Sequence, residues 1–225
     1  MTQVDPAGGM LAIPTREWMA EPVVTALIEL TANLPPGSEV LFHQEPYRGV
    51  AEARNAIVRD FLRRPNLAWL VMCDSDAVPP PHAVQHLLAR QCDVVAAECY
   101  LRRPPFVAQC RPLPSECRGL AEVSGLGPHF LLIRRHVFEL LSGPWFVWEE
   151  GWDRSGEYCA GEMGSFCRRA RAAGVRLFMD FDIEVGHLAP VVIGRQSARA
   201  LAETAGHLAI KAPRPVQPLF SGEAQ

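Results

Sequence analysis

The stretch Leu67-Ala68-Trp69-Leu70-Val71-Met72-Cys73-Asp74-Ser75-Asp76-Ala77-Val78-Pro79-Pro80-Pro81 decides how the chain is read. Its apolar run, Leu67 to Cys73, is too short to cross a membrane and has the character of a strand buried on both faces, as in parallel sheets. The run stops at two carboxylates with one residue between them, and three prolines then forbid the strand from continuing. In open α/β sheets, ligands bind at the carboxyl ends of the strands. Two acids on a turn at that place suit a hard divalent cation bound through oxygen, and the phosphates such a cation carries. A second Asp-x-Asp occurs at Asp180-Phe181-Asp182. The pattern alone is therefore cheap, and the buried strand before the first copy and the proline turn after it set that copy apart.

Upstream, Met10 to Pro14 reads as a short apolar strand. Thr15 or Glu17 can cap the next element, and Pro22 at an early helical position leads a helix over Val23 to Leu34, closed by Pro35-Pro36-Gly37. Glu39 to His43 reads as a second strand. Gly49 to Arg63 is an amphipathic helix whose stripe is Val50, Ala53, Ile57, Phe61 and Leu62. Downstream of the acids come a helix over Pro81 to Arg90 and a buried strand over Asp93 to Cys99. The order βαβαβαβ predicts a parallel sheet with helices on both faces.

After Tyr100 the pattern changes. Prolines 104, 105, 112 and 114, with alternation around Val107 to Arg111 and Leu120 to Val123, predict short strands or a hairpin. Gly125-Leu126-Gly127-Pro128 is a tight loop, Phe130 to Arg134 a strand, and Arg135 to Leu141 a short helix. Trp145 to Trp148 reads as extended. Glu149 to Ala160, polar and aromatic with glycines, has the composition of a mobile loop that closes over a substrate. Gly161 to Gly174 is a helix with Met163, Phe166, Cys167 and Ala170 facing in, arginines facing out, and Gly174 for the closing turn. Arg176 to Met179 and Ile183 to Val185 read as strands that deliver Gly186-His187. A last helix over Gly194 to Ile210 and a proline-containing tail, Pro213 to Gln225, complete the chain.

The bulk properties bound the function. The 225 residues are most simply one domain, and a net charge of -3 gives no sign of a nucleic-acid-binding surface. No apolar run approaches the roughly 20 residues of a membrane helix, and Met1 to Gly9 has no signal-peptide character. Seven cysteines, odd in number and without a Cys-x-x-Cys pair, are expected as free thiols in a reducing, cytoplasmic setting. Lys211 is the only lysine, against 21 arginines (22 basic residues less one), the mark of a GC-rich genome.

Two enzyme classes place Asp-x-Asp at the end of such a strand. One is the glycosyltransferases that use nucleotide sugars. The other is the phosphohydrolases whose first aspartate is a nucleophile, and whose Asp-x-Asp-x-Thr/Val signature Asp74 to Val78 satisfies. The second class also needs a later lysine followed by an acidic pair. Here the sole lysine, Lys211, lies in the tail with no aspartate after it.

Taken in order, Ala53-Arg54-Asn55, Trp69 to Asp76, Leu131 to Arg135, Pro144-Trp145-Phe146, Gly161-Glu162, Phe166 to Gly174 and Gly186-His187 resemble the GT-A-fold glycosyltransferases, family-2-like, including small stand-alone ones of bacteria and phages. The resemblance covers about residues 10 to 190. It implies an α/β class and a single GT-A domain over 1–225, with a mostly parallel central sheet flanked by helices and a small antiparallel part. The nucleotide-binding half would span about 10–100, the acceptor-binding half about 101–190, and a C-terminal helix and tail 191–225. It further implies a metal, Mn2+ or Mg2+, held by Asp74, Asp76 and His187, and a nucleoside diphosphate sugar lined by Pro14, Thr15, Arg54, Asp74 and Ser75.

The sequence departs from the family at the base that removes the acceptor's proton. Inverting relatives carry Glu-Asp at the start of the helix after the loop, and here the pair is Glu162-Met163. Methionine cannot take a proton, which leaves Glu162, or Glu149, Glu150 and Asp153 on the preceding loop. A retaining enzyme needs no such base, nor does a nucleotide-sugar-binding protein without transfer activity. His129 is a second departure, since relatives have a small residue in that glycine-rich turn. It is expected to reshape the acceptor pocket or to lie on the surface. Trp145, Trp148 and Trp152 cluster near the expected lid, and aromatic faces stack on sugars. The acceptor stays open among a glycan, a protein, a small metabolite and phage DNA with a modified base.

Overall fold

A computed structural model of the chain describes residues 8–15, 18–44, 49–102, 106–112, 118–152 and 158–189. The expected C-terminal helix and tail, Lys211, Asp153 and the candidate cap Glu17 lie outside the described residues. Contacts divide the chain into Met1–Leu188 and Ala189–Gln225. In chain order the elements are β1 (Gly9–Thr15), α1 (Glu21–Ala32), β2 (Glu39–Gln44), α2 (Val50–Leu62), β3 (Trp69–Cys73), β4 (Ala77–Val78), α3 (Ala83–Ala89) and β5 (Val94–Glu98). They continue with β6 (Cys110–Arg111), β7 (Leu120–Val123), β8 (Gly125–Leu126), β9 (Phe130–Arg134), α4 (Arg135–Leu140), β10 (Glu150–Trp152), β11 (Tyr158–Ala160), α5 (Gly161–Ala172), β12 (Leu177–Glu184) and β13 (Gly186–His187).

The central sheet has seven strands in the order β2-β1-β3-β9-β5-β12-β7. Strands β1, β2, β3, β5 and β12 run one way, while β9 and β7 run the other. The α/β class and the mostly parallel sheet match the expectation. The neighbour of β3 does not follow from the βαβ order: β9 lies between β3 and β5, antiparallel to both. Its sequence, Phe-Leu-Leu-Ile-Arg, is apolar at four successive positions and buried at all four, so it can cover both faces at the centre of a sheet.

The period of two along each strand sorts the side chains into two cores. On one face, Met10, Ala12, Leu70, Met72, Leu131 and Ile133 pack with Ile57 and Phe61 of α2, Phe138 of α4 and Phe166 of α5. On the other, Leu11, Ile13, Val71, Cys73, Phe130 and Leu132 pack with Val23 and Leu27 of α1 and Val84 and Leu87 of α3. Helix α1 starts from Ala20 without a side-chain cap, with Pro22 in its first turn. Gly174 takes a φ of +85° after α5, the left-handed turn expected of it. Cys73, Cys92, Cys99, Cys110 and Cys167 are buried free thiols.

Three local expectations are corrected. Glu149 to Ala160 contains a hairpin, β10 antiparallel to β11 with Glu150 opposite Ala160, rather than a loop throughout. Alternating large side chains flanking a polar tip are a hairpin pattern as much as a loop pattern. Trp145 to Trp148 contains no strand, because the backbone N–H groups of Trp145 and Phe146 are taken by the Asn55 side chain instead of a neighbouring strand. Arg176 to Val185 gives one strand, β12, with a register irregularity between Asp180 and Glu184. The second Asp-x-Asp sits at that irregularity and is structural. Fully buried Asp180 accepts both Nε (2.7 Å) and Nη2 (2.9 Å) of Arg90, and Asp182 accepts Arg90 Nη2 (2.6 Å) and the Gly119 N–H (2.9 Å). It ties α3 to the sheet.

Gly9 pairs with Trp69 across β1 and β3 and lies against its indole, so that a Cβ at Gly9 would stand 2.0 Å from the ring. Trp69 is fully buried and cannot yield. Gly9→Ala is expected to destabilise the protein by about 1–3 kcal/mol in urea denaturation, the range for overpacking. An unchanged midpoint would mean that the indole is free to move.

Candidate metal and nucleotide site

Strand β3 ends at Cys73, and Asp74 to Ala77 then make a tight turn in which the Ala77 N–H donates to the Asp74 carbonyl (3.0 Å). Val78 and the prolines close it. Two pairings bring distant residues to this turn. Strand β13 lies antiparallel to β4, with His187 opposite Ala77 and Gly186 opposite Val78, and the Leu188 N–H donates to the Asp76 carbonyl (2.8 Å). That puts His187 Nε2 3.4 Å from Asp76 Oδ2. Strand β9 pairs with β3 so that Phe130 stands opposite Cys73, which carries the preceding His129 to a position beside Asp74. The Asp74 N–H donates to the His129 carbonyl at 2.9 Å.

Of the two expectations for His129, a place on the surface is corrected by its burial. It is 2% exposed, and its Nδ1 stands 3.8 Å from Asp74 Oδ2 and 3.7 Å from Asp76 Oδ1. Its ring lies 4.0 Å from that of His187, centre to centre. One donor atom each from Asp74, Asp76 and His129 falls within 4.8 Å of the others, and so does a second set from Cys99, His129 and His187. Burial, then Asp74 and Asp76, push the Cys99 thiol up to about 12. No contact pattern local to residues 125 to 130 announces His129. The signal that would have found it is the antiparallel pairing of β9 with β3.

The acids are not left uncompensated. Arg54 of α2 is 1% exposed and donates from Nη2 to Asp74 Oδ1 (2.7 Å) and from Nη1 to Glu162 Oε1. Burial raises the Asp74 pKa, and Arg54 and His129 more than offset it, so that this carboxyl is held below the usual carboxylate range. Arg102, about half exposed, donates from Nη1 to Asp76 Oδ2 at 2.6 Å. Each aspartate thus spends one oxygen on an arginine and turns the other toward His129. Next to Arg54, Asn55 accepts from the Trp145 and Phe146 N–H groups with Oδ1 (2.9 and 3.0 Å) and donates to the Phe146 carbonyl (2.6 Å). This fixes the segment that leads into the β10–β11 hairpin.

Of the residues expected at the site, Asp74, Asp76, His187 and Arg54 come together, and Glu162 joins them through Arg54. Ser75 lies on the same turn. Pro14 and Thr15 end β1, whose register with β3 (Ala12 opposite Met72) brings both strand ends out at one edge of the sheet. Glu150 lies on β10. Beside the cluster is a cavity of about 430 Å³, lined by Leu101, Val107, Gln109, Leu126, Gly127 and Met163 among others. Gln109 reaches from it to within 3.4 Å of His187 Nδ1. Among the described residues, no helix is long and apolar enough to cross a membrane.

Comparison with protein-family models finds no match for this sequence. Comparison with curated proteins finds none either. Among solved structures, the crystal structure of A197 from STIV matches with a TM-score of 0.63 at 20% identity, over 81% of this chain and 86% of that one. A structure of GalNAc-T7 with UDP, GalNAc and Mn2+ matches with a TM-score of 0.48 at 12% identity, over 82% of this chain and 44% of that one. This chain therefore spans less than half of GalNAc-T7. The seven-stranded mixed sheet between helices is thus a fold that this chain shares with A197.

Because Arg54 is the only cation on both Asp74 and Glu162 in the described contacts, Arg54→Met leaves a buried carboxylate unpaired. We expect a loss of about 3–5 kcal/mol in guanidinium denaturation at neutral pH. Arg54→Lys, which cannot bridge two carboxylates with a planar fork, is expected to lie in between. A neutral effect of Arg54→Met would show that the bridge is not formed in solution.

Proposed function

We propose that the protein transfers a sugar from a nucleoside diphosphate sugar, using a divalent cation, Mn2+ or Mg2+, held by Asp74, Asp76 and His187. The observation that supports this most is the His187 imidazole, brought from far along the chain to 3.4 Å from Asp76 at the carboxyl end of β3. The donor set fits the group: carboxylate oxygens of Asp74 and Asp76 within 4.8 Å of each other, and an imidazole nitrogen of His187 3.4 Å from Asp76 Oδ2. A bound cation supplies Lewis acidity to the charge that develops on the leaving diphosphate.

The chain's own residues do the rest. Asp74 is oriented by Arg54, and Arg54 in turn by Glu162. Arg102 is positioned to exchange its carboxylate on Asp76 for a phosphate oxygen. Pro14, Thr15 and Ser75 line the nucleotide side. The cavity of about 430 Å³ takes the acceptor side, where Met163 forms part of the wall. Trp148, 65% exposed and close to Gly161, offers an aromatic face to a sugar. Glu162 already accepts a hydrogen bond from Arg54, which makes it a positioning residue. Proton removal then falls to Glu150, on β10, or to Asp153. A glycan, a protein, a metabolite or modified phage DNA would all serve as acceptor, in a cytoplasmic setting.

A second reading, nucleotide-sugar binding without transfer, is favoured by Met163 at the place of the usual base and by the engagement of Glu162. Release of nucleoside diphosphate from a panel of nucleotide sugars, with Mn2+ present, separates the two. Transfer predicts turnover that falls on the order of 100-fold or more in Asp76→Ala and persists, reduced, in Glu162→Gln. A thermal midpoint raised by nucleoside diphosphates without turnover would leave the binding reading alone. Neither turnover nor a raised midpoint would reject both.

A further inference from the structure

The two histidines at the cluster are oriented alike. His129 Nε2 lies 3.2 Å from the Gly186 carbonyl, and His187 Nδ1 lies 2.8 Å from the Tyr100 carbonyl. A carbonyl can only accept, so a proton on each of these outer nitrogens satisfies it, and the Gln109 amide, 3.4 Å from His187 Nδ1, is the longer contact. The inner nitrogens, His129 Nδ1 and His187 Nε2, therefore face carboxylate oxygens 3.4 to 3.8 Å away, across gaps that a second ring proton or a cation would fill. Acceptor facing acceptor in a buried site is unfavourable unless something positive lies between them. A backbone carbonyl behind an imidazole is also the usual arrangement that fixes a metal-binding tautomer.

The spacing agrees. Donors bonded to one cation at about 2.1 Å stand about 3 to 4 Å apart. The oxygens that face His129, Asp74 Oδ2 and Asp76 Oδ1, are not the ones that Arg54 and Arg102 occupy, while His187 faces Asp76 Oδ2, the oxygen that Arg102 holds until it exchanges. Cys99, although close, has its thiol directed to the Tyr100 carbonyl (3.7 Å) and accepts from Gln109 Nε2 (3.7 Å).

We propose that His129 is a fourth protein ligand beside Asp74, Asp76 and His187, and that this two-oxygen, two-nitrogen centre selects a first-row transition cation over Mg2+. The inference rests on the proposed metal site and narrows it. Imidazole nitrogen is a poor substitute for oxygen around Mg2+, which demands hard ligands and keeps its waters, whereas Mn2+, Co2+ and Zn2+ accept nitrogen readily. A centre with a single imidazole tolerates Mg2+; one with two discriminates against it. Affinity is expected to rise from Mg2+ through Mn2+ and Co2+.

The test uses the full chain, freed of any histidine tag and of metal. Calorimetric titration with Mg2+, Mn2+ and Co2+ gives the affinities, and electron spin-echo spectroscopy of the Mn2+-loaded protein counts the coordinated imidazole nitrogens. We expect two imidazoles, and Mn2+ and Co2+ bound at least tenfold more tightly than Mg2+. His129→Gln is expected to leave one imidazole and weaken Mn2+ binding at least tenfold. Should that variant fail to fold, the imidazole count in the unmodified protein decides alone. One imidazole in the unmodified protein, or Mg2+ bound as tightly as Mn2+, overturns the proposal. Nucleotide-sugar turnover measured in parallel keeps the two readings apart. Turnover with one coordinated imidazole overturns the four-ligand centre and leaves sugar transfer standing. Two imidazoles without any response to nucleoside diphosphates does the reverse.

Discussion

Three carboxylates meet at one end of this sheet, and the fold depends on the buried guanidinium that lets them do so. Asp74, Asp76 and Glu162 repel one another in surroundings where water screens them poorly. Arg54, almost wholly enclosed, bridges two of them, and Arg102 takes the third from the solvent side. Three negative charges against two positive leave one negative charge in excess among these five. A divalent cation would turn that into one positive charge, a sign that suits a diphosphate. The planar fork of arginine is what makes the bridge workable, because its nitrogens address two carboxylates along different directions without rotating.

Topology supplies the remainder of the site. A sheet made only of consecutive βαβ units would have set β5 beside β3, and no histidine would have reached the acid turn from that side. Insertion of β9, antiparallel, brings a chain end to the carboxyl edge of β3 where a parallel neighbour would also have brought one, but delivers it from a loop that precedes the strand. The short β4–β13 pair brings His187 to the same turn. The acids belong to one segment, while the imidazoles come from two others that the sheet order holds against it.

Much of this is legible in the sequence, for definite reasons. Strand β3, helix α2 and the Gly186-His187 turn each declare themselves within a few residues, through an apolar run, a helical stripe or a glycine before a histidine. The α/β class follows from their alternation. What is not legible depends on pairing across long intervals. The position of β9 and the burial of His129 have no local signature. The helical stripe of α2 carries Arg54 on its buried face, four residues after Val50 and three before Ile57, with Asn55 at the margin, and nothing local names the polar partners on other segments that meet them. Likewise nothing in Asp180-Phe181-Asp182 says that its acids belong to Arg90, which is why two identical motifs had to be told apart by their surroundings.

Adjacent residues of α2 hold two different parts of the molecule: Arg54 holds the acid turn through Asp74, and Asn55 holds the backbone at Trp145 and Phe146. Successive positions on a helix point about 100° apart, so a single rigid rod engages both without bending. The helix thereby works as a yoke. Rotation or sliding of α2 would be transmitted to the aspartates and to the approach of the β10–β11 hairpin together, and the gap between those two is the width available to whatever lies between them.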